Sequence, residues 1–262
     1  MYEFDVNRPK TLADAVAALQ DEDAVALGGG QTLIPTMKQR LAMPQTLVAL
    51  KGVPELFGIT VDEGAITIGG ATIHAEVAQL GKHYPALAKL VANIGDRAVR
   101  SRGTIGGSLA NNDPAACYPA AVLASQGVVV TDRRRIACDD YFQGLFETAL
   151  EKGEIVTQVQ LTIPTAAAYE KFVQPASRFA LVGVFVARFA HEVRVAVTGA
   201  HENGVFRWLE AEAALHDQFD AASLETVKLD SADMIEDLHG SAAYRAHLVG
   251  VMAKRAVMHI TD

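Results

Sequence analysis

Hydrophobic and polar residues follow two different patterns along the chain. Over residues 1–165, short apolar runs of strand length are mixed with amphipathic segments of helical period. Beyond residue 165, several strand-like runs follow one another and are then succeeded by helical segments. Strands followed by helices, rather than alternating with them, are typical of an α+β fold. We therefore predict the α+β class, with units at 1–55, 56–165 and 166–262.

The pattern predicts individual elements, and a few residues mark their ends. Thr11 and Thr72 are candidate helix N-caps, and Gly95 is a candidate residue just beyond a helix C-terminus. The predicted helices cover 12–19, 35–41, 72–80, 85–94, 118–125, 209–215, 223–227 and 241–258, and a short helix and turn cover 139–146. The predicted strands cover 24–27, 46–50, 59–61, 65–68, 127–131, 135–138, 154–163, 169–173, 182–189, 193–197 and 205–208. His74 falls in the third helix, where we expect an exposed or capping histidine.

Composition narrows the classes of protein that the chain can belong to. It has 262 residues, is 50% hydrophobic and carries a net charge of −8, so nucleic acid is an unexpected partner. Cys117 and Cys138 match no metal or redox motif, which indicates reduced thiols and a cytoplasmic location. We expect no signal peptide, because the first residues lack a basic and an apolar region. We also expect no membrane span, because no apolar run is long enough.

Two glycine-rich stretches carry the candidate chemistry. The first glycine loop, residues 26–35, follows a short apolar run, and the second, residues 100–114, lies between helical segments. Glycine lets a backbone approach a ligand closely, and consecutive free N–H groups form an anion-binding concavity. Arg97, Arg100 and Arg102 are expected to add positive charge beside the second loop. Two such loops predict the two sides of a phosphate-bearing ligand such as a dinucleotide, although glycine turns that merely join strands are the alternative.

Other motifs for nucleotide binding or hydrolysis are absent from the sequence. The first loop lacks the third glycine of a Rossmann fingerprint, and no Walker A tripeptide occurs. Ser108 stands in a near match to a nucleophile elbow, but no apolar strand leads into it. The histidines show no metal-ligand spacing.

The two glycine loops resemble those of a known family. Residues 27–35 and 102–116 are similar to the two flavin loops in the medium subunit of molybdenum hydroxylases, most of all those of aerobic carbon monoxide dehydrogenases. Residues 175–180 and 237–247 agree with the same family, so the resemblance spans nearly the whole chain. It implies a two-part FAD-binding domain of the vanillyl-alcohol oxidase type, formed by 1–55 and 56–165. A smaller α+β domain with an antiparallel sheet and helices, 166–262, is implied to follow.

The resemblance also implies which residues bind FAD. The first loop would wrap one side of the pyrophosphate through Gly28, Gly29, Gly30, Gln31, Thr32 and Leu33. The second would wrap the other side through Thr104, Ile105, Gly106, Gly107 and Ser108, with Asp113 as a further cofactor-binding residue. No catalytic acid or base and no metal ligand is expected.

Five positions depart from the family pattern near the expected cofactor. Gly28 and Thr32 stand where the first loop usually carries alanine and serine, which is a mild change. Cys117 stands where an aspartate commonly contacts the ribose region, and a thiol accepts hydrogen bonds weakly. Losing that bond would cost about 0.5–1.5 kcal/mol of binding free energy. Gln174 stands where relatives often carry a basic residue, and Phe179 where some carry a tyrosine close to the flavin ring. For Phe179, ordinary core packing is the alternative.

The function implied is electron transfer within a larger enzyme. In this family a large molybdopterin subunit oxidises the substrate, a small subunit carries [2Fe–2S] clusters, and FAD in the medium subunit passes the electrons to an external acceptor. The resemblance implies a heterohexamer with two copies of each subunit. Two alternatives stay open: a stand-alone flavin oxidase or reductase, and an assembly module without cofactor, for which Cys117 is the hint. The sequence names neither the partner's substrate nor the final electron acceptor.

Overall fold

The computed structural model describes residues 1–261, and it begins with a small parallel sheet. The sheet has the strand order β1-β3-β2, with both pairs parallel. Its elements are β1 (Asp5–Asn7), α1 (Leu12–Ala18), β2 (Ala24–Leu27), α2 (Leu33–Lys38) and β3 (Thr46–Ala49). Thr11 caps α1 as predicted, because its Oγ1 accepts a hydrogen bond from the Asp14 N–H at 3.1 Å. The first glycine loop therefore joins the end of a strand to the start of a helix.

A second, antiparallel sheet with the strand order β4-β5-β10-β6-β7 occupies the middle of the chain. Its strands are β4 (Ile59–Asp62), β5 (Ala65–Gly69), β6 (Val128–Thr131), β7 (Arg135–Ala137) and β10 (Val156–Thr162). The connections contain α3 (His74–Val77), α4 (Pro85–Ala92), α5 (Arg97–Arg100), α6 (Ile105–Asn111), α7 (Tyr118–Ala124), α8 (Cys138–Tyr141) and the hairpin of β8 (Phe142–Gly144) with β9 (Glu147–Thr148). Buried residues of α4 and α7 pack on this sheet and form the largest core.

The last part of the chain contains a four-stranded antiparallel sheet that is covered on both faces. Its elements are β11 (Ala166–Val173), β12 (Ala180–Arg188), β13 (Val193–His201), β14 (Gly204–Arg207), α9 (Leu209–Asp217) and α10 (Ala242–Thr261). Phe185 faces the core that contains α4 and α7, whereas Val184 and Val186 face the core that contains α9 and α10. Because both faces are covered, β12 is an almost continuous apolar run instead of an alternating one.

Several predicted elements need correction. The predicted helix to Leu41 ends at Lys38, because Arg40 adopts a φ of 63° that a right-handed helix excludes. The helix predicted at 223–227 is replaced by a short 3-10 turn at Ala221–Leu224. The helix predicted to run to residue 94 ends at Ala92, although Gly95 does take a positive φ of 51°.

The second glycine loop contains a helix that the sequence pattern did not predict. Residues 105–111 include two glycines and lack an apolar period, yet they form α6. Thr104 explains it, because its Oγ1 accepts a hydrogen bond from the Gly107 N–H at 3.1 Å and so caps the helix. No helix within residues 1–261 combines the length and the apolar character needed to cross a bilayer.

Candidate cofactor-binding site

The two glycine loops meet across a cleft with a volume of about 540 Å³, which we name the glycine-loop cleft. The turn between β2 and α2 forms one wall, and the start of α6 forms the opposite wall. The loop of residues 174–179, between β11 and β12, contributes to one end. The volume lies within the range of small-molecule and cofactor sites.

The first glycine loop presents a row of free backbone donors. Among the described residues, no acceptor bonds the N–H groups of residues 29–33. Gly30 has a φ of 71°, which glycine adopts without strain, and this conformation bends the loop around the donors. Consecutive unpaired N–H groups at the start of a helix form a concavity for an anion. The loop therefore has the chemistry to hold a diphosphate.

The second glycine loop differs from the expectation, because the N–H groups of Ile105, Gly106 and Gly107 are already bonded within the protein. The Ile105 N–H donates to the Thr72 carbonyl at 3.2 Å, and the Gly106 N–H donates to the Gly70 carbonyl at 2.9 Å. The Gly107 N–H is taken by Thr104, as described above. Thr104 and Ser108 line the cleft, together with Gly106 and Gly107. At residues 105–107 this wall thus offers a close glycine surface, with the hydroxyl groups of Thr104 and Ser108 beside it, instead of free amides.

Several glycines are required where backbone packs against backbone. A Cβ at Gly29 would overlap the Arg102 carbonyl group, so the first loop touches the second directly. A Cβ at Gly106 would lie 2.6 Å from the Gly70 carbonyl oxygen. The contact of Gly29 with Arg102 joins the two loops, and the contact of Gly106 with Gly70 fixes the second loop against the end of β5. Glycine in both loops therefore shapes the cleft as well as lining it.

His74 is buried under the second loop, which corrects the prediction of an exposed or capping residue. It is only 5% exposed, and its backbone N–H donates to the Gly103 carbonyl at 2.9 Å. Burial and the charge of Arg100 lower the pKa of His74 to about 4, so the imidazole is neutral at pH 7. Thr72 is not the predicted N-cap, because its Oγ1 donates to the Gly58 carbonyl at 3.2 Å and Ile73 takes the cap position.

The predicted arginine charges do not line the cleft. Arg100 donates from its guanidinium to the Ile94 and Gly95 carbonyls at 2.9 and 3.0 Å, which fixes the turn before α5. The lining contains neither Arg97 nor Arg102. Two cations that the sequence reasoning missed, Lys171 and Arg178, line the cleft instead.

Cys117 and residues 177–179 line the same cleft. Cys117 is buried, and the Lys171 Nζ lies 3.7 Å from its Sγ. Gln174 and Phe179 close the loop through a hydrogen bond from the Gln174 N–H to the Phe179 carbonyl at 2.9 Å. Phe179 is 52% exposed and lines the cleft, so it is not an ordinary core residue. The alternation of residues along β11 predicts which face of the strand Lys171 lies on. It does not predict the contact with Cys117, because that residue lies on a different element.

Most of the residues expected to bind the cofactor come together in this cleft. The exceptions are Ile105, which is fully buried in the core, and Gln174, which lies outside the lining. The members that do line it are Gly28, Gly29, Gly30, Gln31, Thr32, Leu33, Thr104, Gly106, Gly107, Ser108, Asp113, Cys117 and Phe179. Asp113 also stabilises the turn before α7, because its Oδ1 accepts the Ala115 N–H at 2.8 Å.

Glu154 adds a buried carboxylate to the cleft lining. It accepts hydrogen bonds from Thr131 Oγ1 at 2.6 Å, from the Glu151 N–H at 2.7 Å and from two nitrogens of Arg134 at 3.1 and 3.0 Å. Burial alone would raise the pKa of Glu154, but the bonds from Arg134, Thr131 and Glu151 outweigh it and lower the pKa to about 2. The carboxylate is therefore ionised and structural at neutral pH.

Replacing Glu154 with glutamine is expected to destabilise the protein by about 1–2 kcal/mol at pH 7, a value reduced for screening at the partly exposed Arg134. A folded-state pKa below the ordinary 4.5 means that Glu154 stabilises the fold above pH 4.5 and that this contribution is lost as the pH falls towards 2. Urea unfolding at several pH values should show the difference between E154Q and the unsubstituted protein shrinking over that window. The exposed neighbour Glu151 provides the control, and E151Q should change stability by less than about 0.5 kcal/mol. A pH-independent difference for E154Q would contradict this assignment.

Comparisons with known proteins agree with this geometry over the whole chain. A family described as FAD binding domain in molybdopterin dehydrogenase matches residues 2–166. The nicotine 6-hydroxylase medium subunit of Paenarthrobacter nicotinovorans is 34% identical over 270 residues, covering 95% of this chain and 94% of that subunit. The carbon monoxide dehydrogenase medium chain of Afipia carboxidovorans is 33% identical over 277 residues, covering 97% and 95%.

A solved structure gives the same result. Reconstituted CO dehydrogenase from Oligotropha carboxidovorans contains a chain that matches with a TM-score of 0.91 and 32% identity, covering 99% of both chains. The predicted resemblance and the predicted α+β class are therefore confirmed. The chain belongs to the family of FAD-binding domains in molybdopterin dehydrogenases.

Proposed function

We propose that this chain is the FAD-binding, electron-transferring subunit of a heteromeric molybdopterin and iron–sulfur hydroxylase. The observation that carries the proposal is the glycine-loop cleft, in a chain whose relatives are medium subunits of such enzymes. The fit to the cofactor rests on the free N–H groups of residues 29–33, which suit a diphosphate, and on the hydroxyl-bearing wall opposite them.

The residues of the chain bind and orient the cofactor and perform no acid–base chemistry. We assign the diphosphate to residues 29–33 on one side and to the hydroxyl groups of Thr104 and Ser108 on the other. FAD, when bound, supplies the redox chemistry, whereas the protein supplies binding and electrostatics. We assign Phe179, an exposed residue of the cleft lining, to covering the flavin ring from solvent.

Substrate oxidation belongs to partner subunits in this proposal. An iron–sulfur cluster is held by four cysteine thiolates, and the chain has two cysteines, both buried free thiols on separate elements. We propose a large molybdopterin subunit and a small [2Fe–2S] subunit as partners, with two copies of each of the three chains, since closed two-fold assemblies are common. A cytoplasmic location is proposed as well, because free thiols suit a reducing compartment.

Co-purification tests the proposal. The chain, expressed with the products of its neighbouring genes, should purify as a coloured complex that contains one FAD per copy of this chain together with iron and molybdenum. Light scattering of the complex should give the mass of two copies of each subunit. A chain that binds FAD and oxidises an alcohol or NAD(P)H without partners would support a stand-alone flavoenzyme instead. A colourless chain that takes up no added FAD would support a cofactor-free assembly module.

A further inference from the structure

The loop of residues 174–179 contributes to the glycine-loop cleft, yet most of its hydrogen bonds stay inside the loop. Residues 177–179 line the cleft, and residues 175–179 are exposed. The Gln174 N–H donates to the Phe179 carbonyl at 2.9 Å, and the Arg178 N–H donates to the Gln174 carbonyl at 2.8 Å. An exposed segment whose bonds are mainly internal opens at a low cost in free energy.

Among the described residues, one side chain outside the loop hydrogen-bonds to it, that of Lys171 on β11. Its Nζ donates to the Arg178 carbonyl at 3.1 Å and to the Asn93 carbonyl at 2.8 Å. The third neighbour is the Cys117 Sγ at 3.7 Å. Residues 94–95, which follow Asn93, line the cleft, and so does Cys117. The ammonium group therefore joins three segments that contribute to the cleft wall.

The backbone of the loop is strained at the residue that Lys171 contacts. Arg178 has a φ of 62°, in the left-handed region that arginine rarely adopts. Strained backbone persists only where the surrounding contacts impose it. Because the Arg178 carbonyl is bonded by Lys171, loss of this bond favours release of the loop.

We infer that Lys171 is a positioning residue that holds the loop of residues 174–179 against the cleft and thereby slows the release of bound FAD, an inference that rests on the proposed function. Residues 177–179 leave the cleft wall together when the loop opens, whichever part of FAD they face. An open loop offers the ligand fewer contacts, so opening raises the dissociation rate more than it changes the association rate.

Hydrogen exchange of the chain without added FAD tests the attachment of the loop. In K171M the amides of Gln174 and Arg178 should exchange about tenfold faster, because methionine donates no hydrogen bond to the loop. Amides within β12 and β13 should keep their rates, which separates local opening from a general loosening of the fold. K171R should restore slow exchange, since a guanidinium has donors for both carbonyls. K89M removes an exposed lysine that is already paired, and it should exchange like the unsubstituted chain.

Release of FAD from the loaded chain tests the effect on the cofactor. K171M should release FAD about tenfold faster, as measured by the rise in flavin fluorescence after dilution, whereas its association rate should change by less than about threefold. K171R and K89M should release FAD at close to the rate of the unsubstituted chain.

The other results have separate meanings. Unchanged exchange in K171M, an equal acceleration in K89M, or faster exchange throughout β12 and β13 as well overturns the inference. Faster exchange confined to the loop with an unchanged rate of FAD release also overturns it, and leaves the proposed function intact. If the unsubstituted chain takes up no FAD, the proposed function fails, and the role of Lys171 in retaining FAD fails with it.

Discussion

Substituting Gly29 with alanine is expected to weaken FAD binding at least 100-fold, or by about 2.8 kcal/mol. The new Cβ would overlap the Arg102 carbonyl and lie 2.6 Å from the Gly103 Cα, so the two glycine loops could not keep their contact. Because the contact is between backbone atoms, no side chain can move aside to relieve the overlap. The free N–H groups of residues 29–33 would then be displaced from the hydroxyl-bearing wall that faces them. Titration of the apoprotein with FAD, followed by quenching of flavin fluorescence, measures the loss.

Gly81 provides a matched control for this substitution. A Cβ at Gly81 meets no atom within 4 Å, and its φ is outside the left-handed region. G81A should therefore bind FAD with unchanged affinity and unfold at an unchanged temperature. Circular dichroism of G29A should show the same secondary structure as the unsubstituted protein, since the clash lies in two surface loops. FAD affinity of G29A equal to that of G81A would show that the loop contact does not shape the site.

Substituting Arg245 with methionine is expected to lower the free energy of unfolding by about 3–5 kcal/mol. Arg245 is buried on α10, and its guanidinium donates to the Leu181 carbonyl at 2.9 Å and to the Gly199 carbonyl at 2.7 Å. The other nitrogen bonds both oxygens of Asp237 at 2.8 and 2.7 Å. Methionine fills much of the same volume but leaves two buried carbonyls and a carboxylate without their donor. Urea denaturation compared with the unsubstituted chain gives the difference directly.

The same helix offers a control for the loss of an arginine. Arg255 is exposed on α10 and forms no ion pair with any described residue. R255M should change the free energy of unfolding by less than about 0.5 kcal/mol. If R245M and R255M lower the free energy of unfolding equally, the effect comes from losing an arginine charge on the helix. The hydrogen bonds of Arg245 to β12, β13 and Asp237 would then not be its cause.

The elements that the sequence predicted well are those whose signal is local. The pattern lies within a short stretch for strands β4 and β5, for strands β6 and β7, and for the long helix α10. The two glycine loops could be recognised for the same reason. The sequence pattern did not predict helix α6, because its two glycines interrupt the apolar period that marks a helix. The remaining signal is a single N-cap residue, Thr104.

The features that the sequence could not predict depend on distant partners. His74 has the sequence context of an exposed helix start, but in the fold Gly103 and the ring of Tyr118 pack against it. From the sequence, the N–H groups of the second loop are expected to be free donors. In the fold, the Ile105 N–H donates to the Thr72 carbonyl and the Gly106 N–H donates to the Gly70 carbonyl. These bonds accompany an isolated β-bridge between the two segments. Lys171 became part of the candidate site only when β11 placed it beside Cys117 and the turn at Asn93.

The direct contact between Gly29 and Arg102 has a consequence for the life of the protein in the cell. The two walls of the cleft come from distant parts of the sequence, so a chain that opens globally loses its hold on the ligand at once. Ligand binding and resistance to unfolding are then thermodynamically linked, and a ligand at 100 times its Kd adds about 2.7 kcal/mol. Unloaded copies would unfold more often and be degraded sooner by proteases. Flavin supply would thereby control how many copies survive to be assembled.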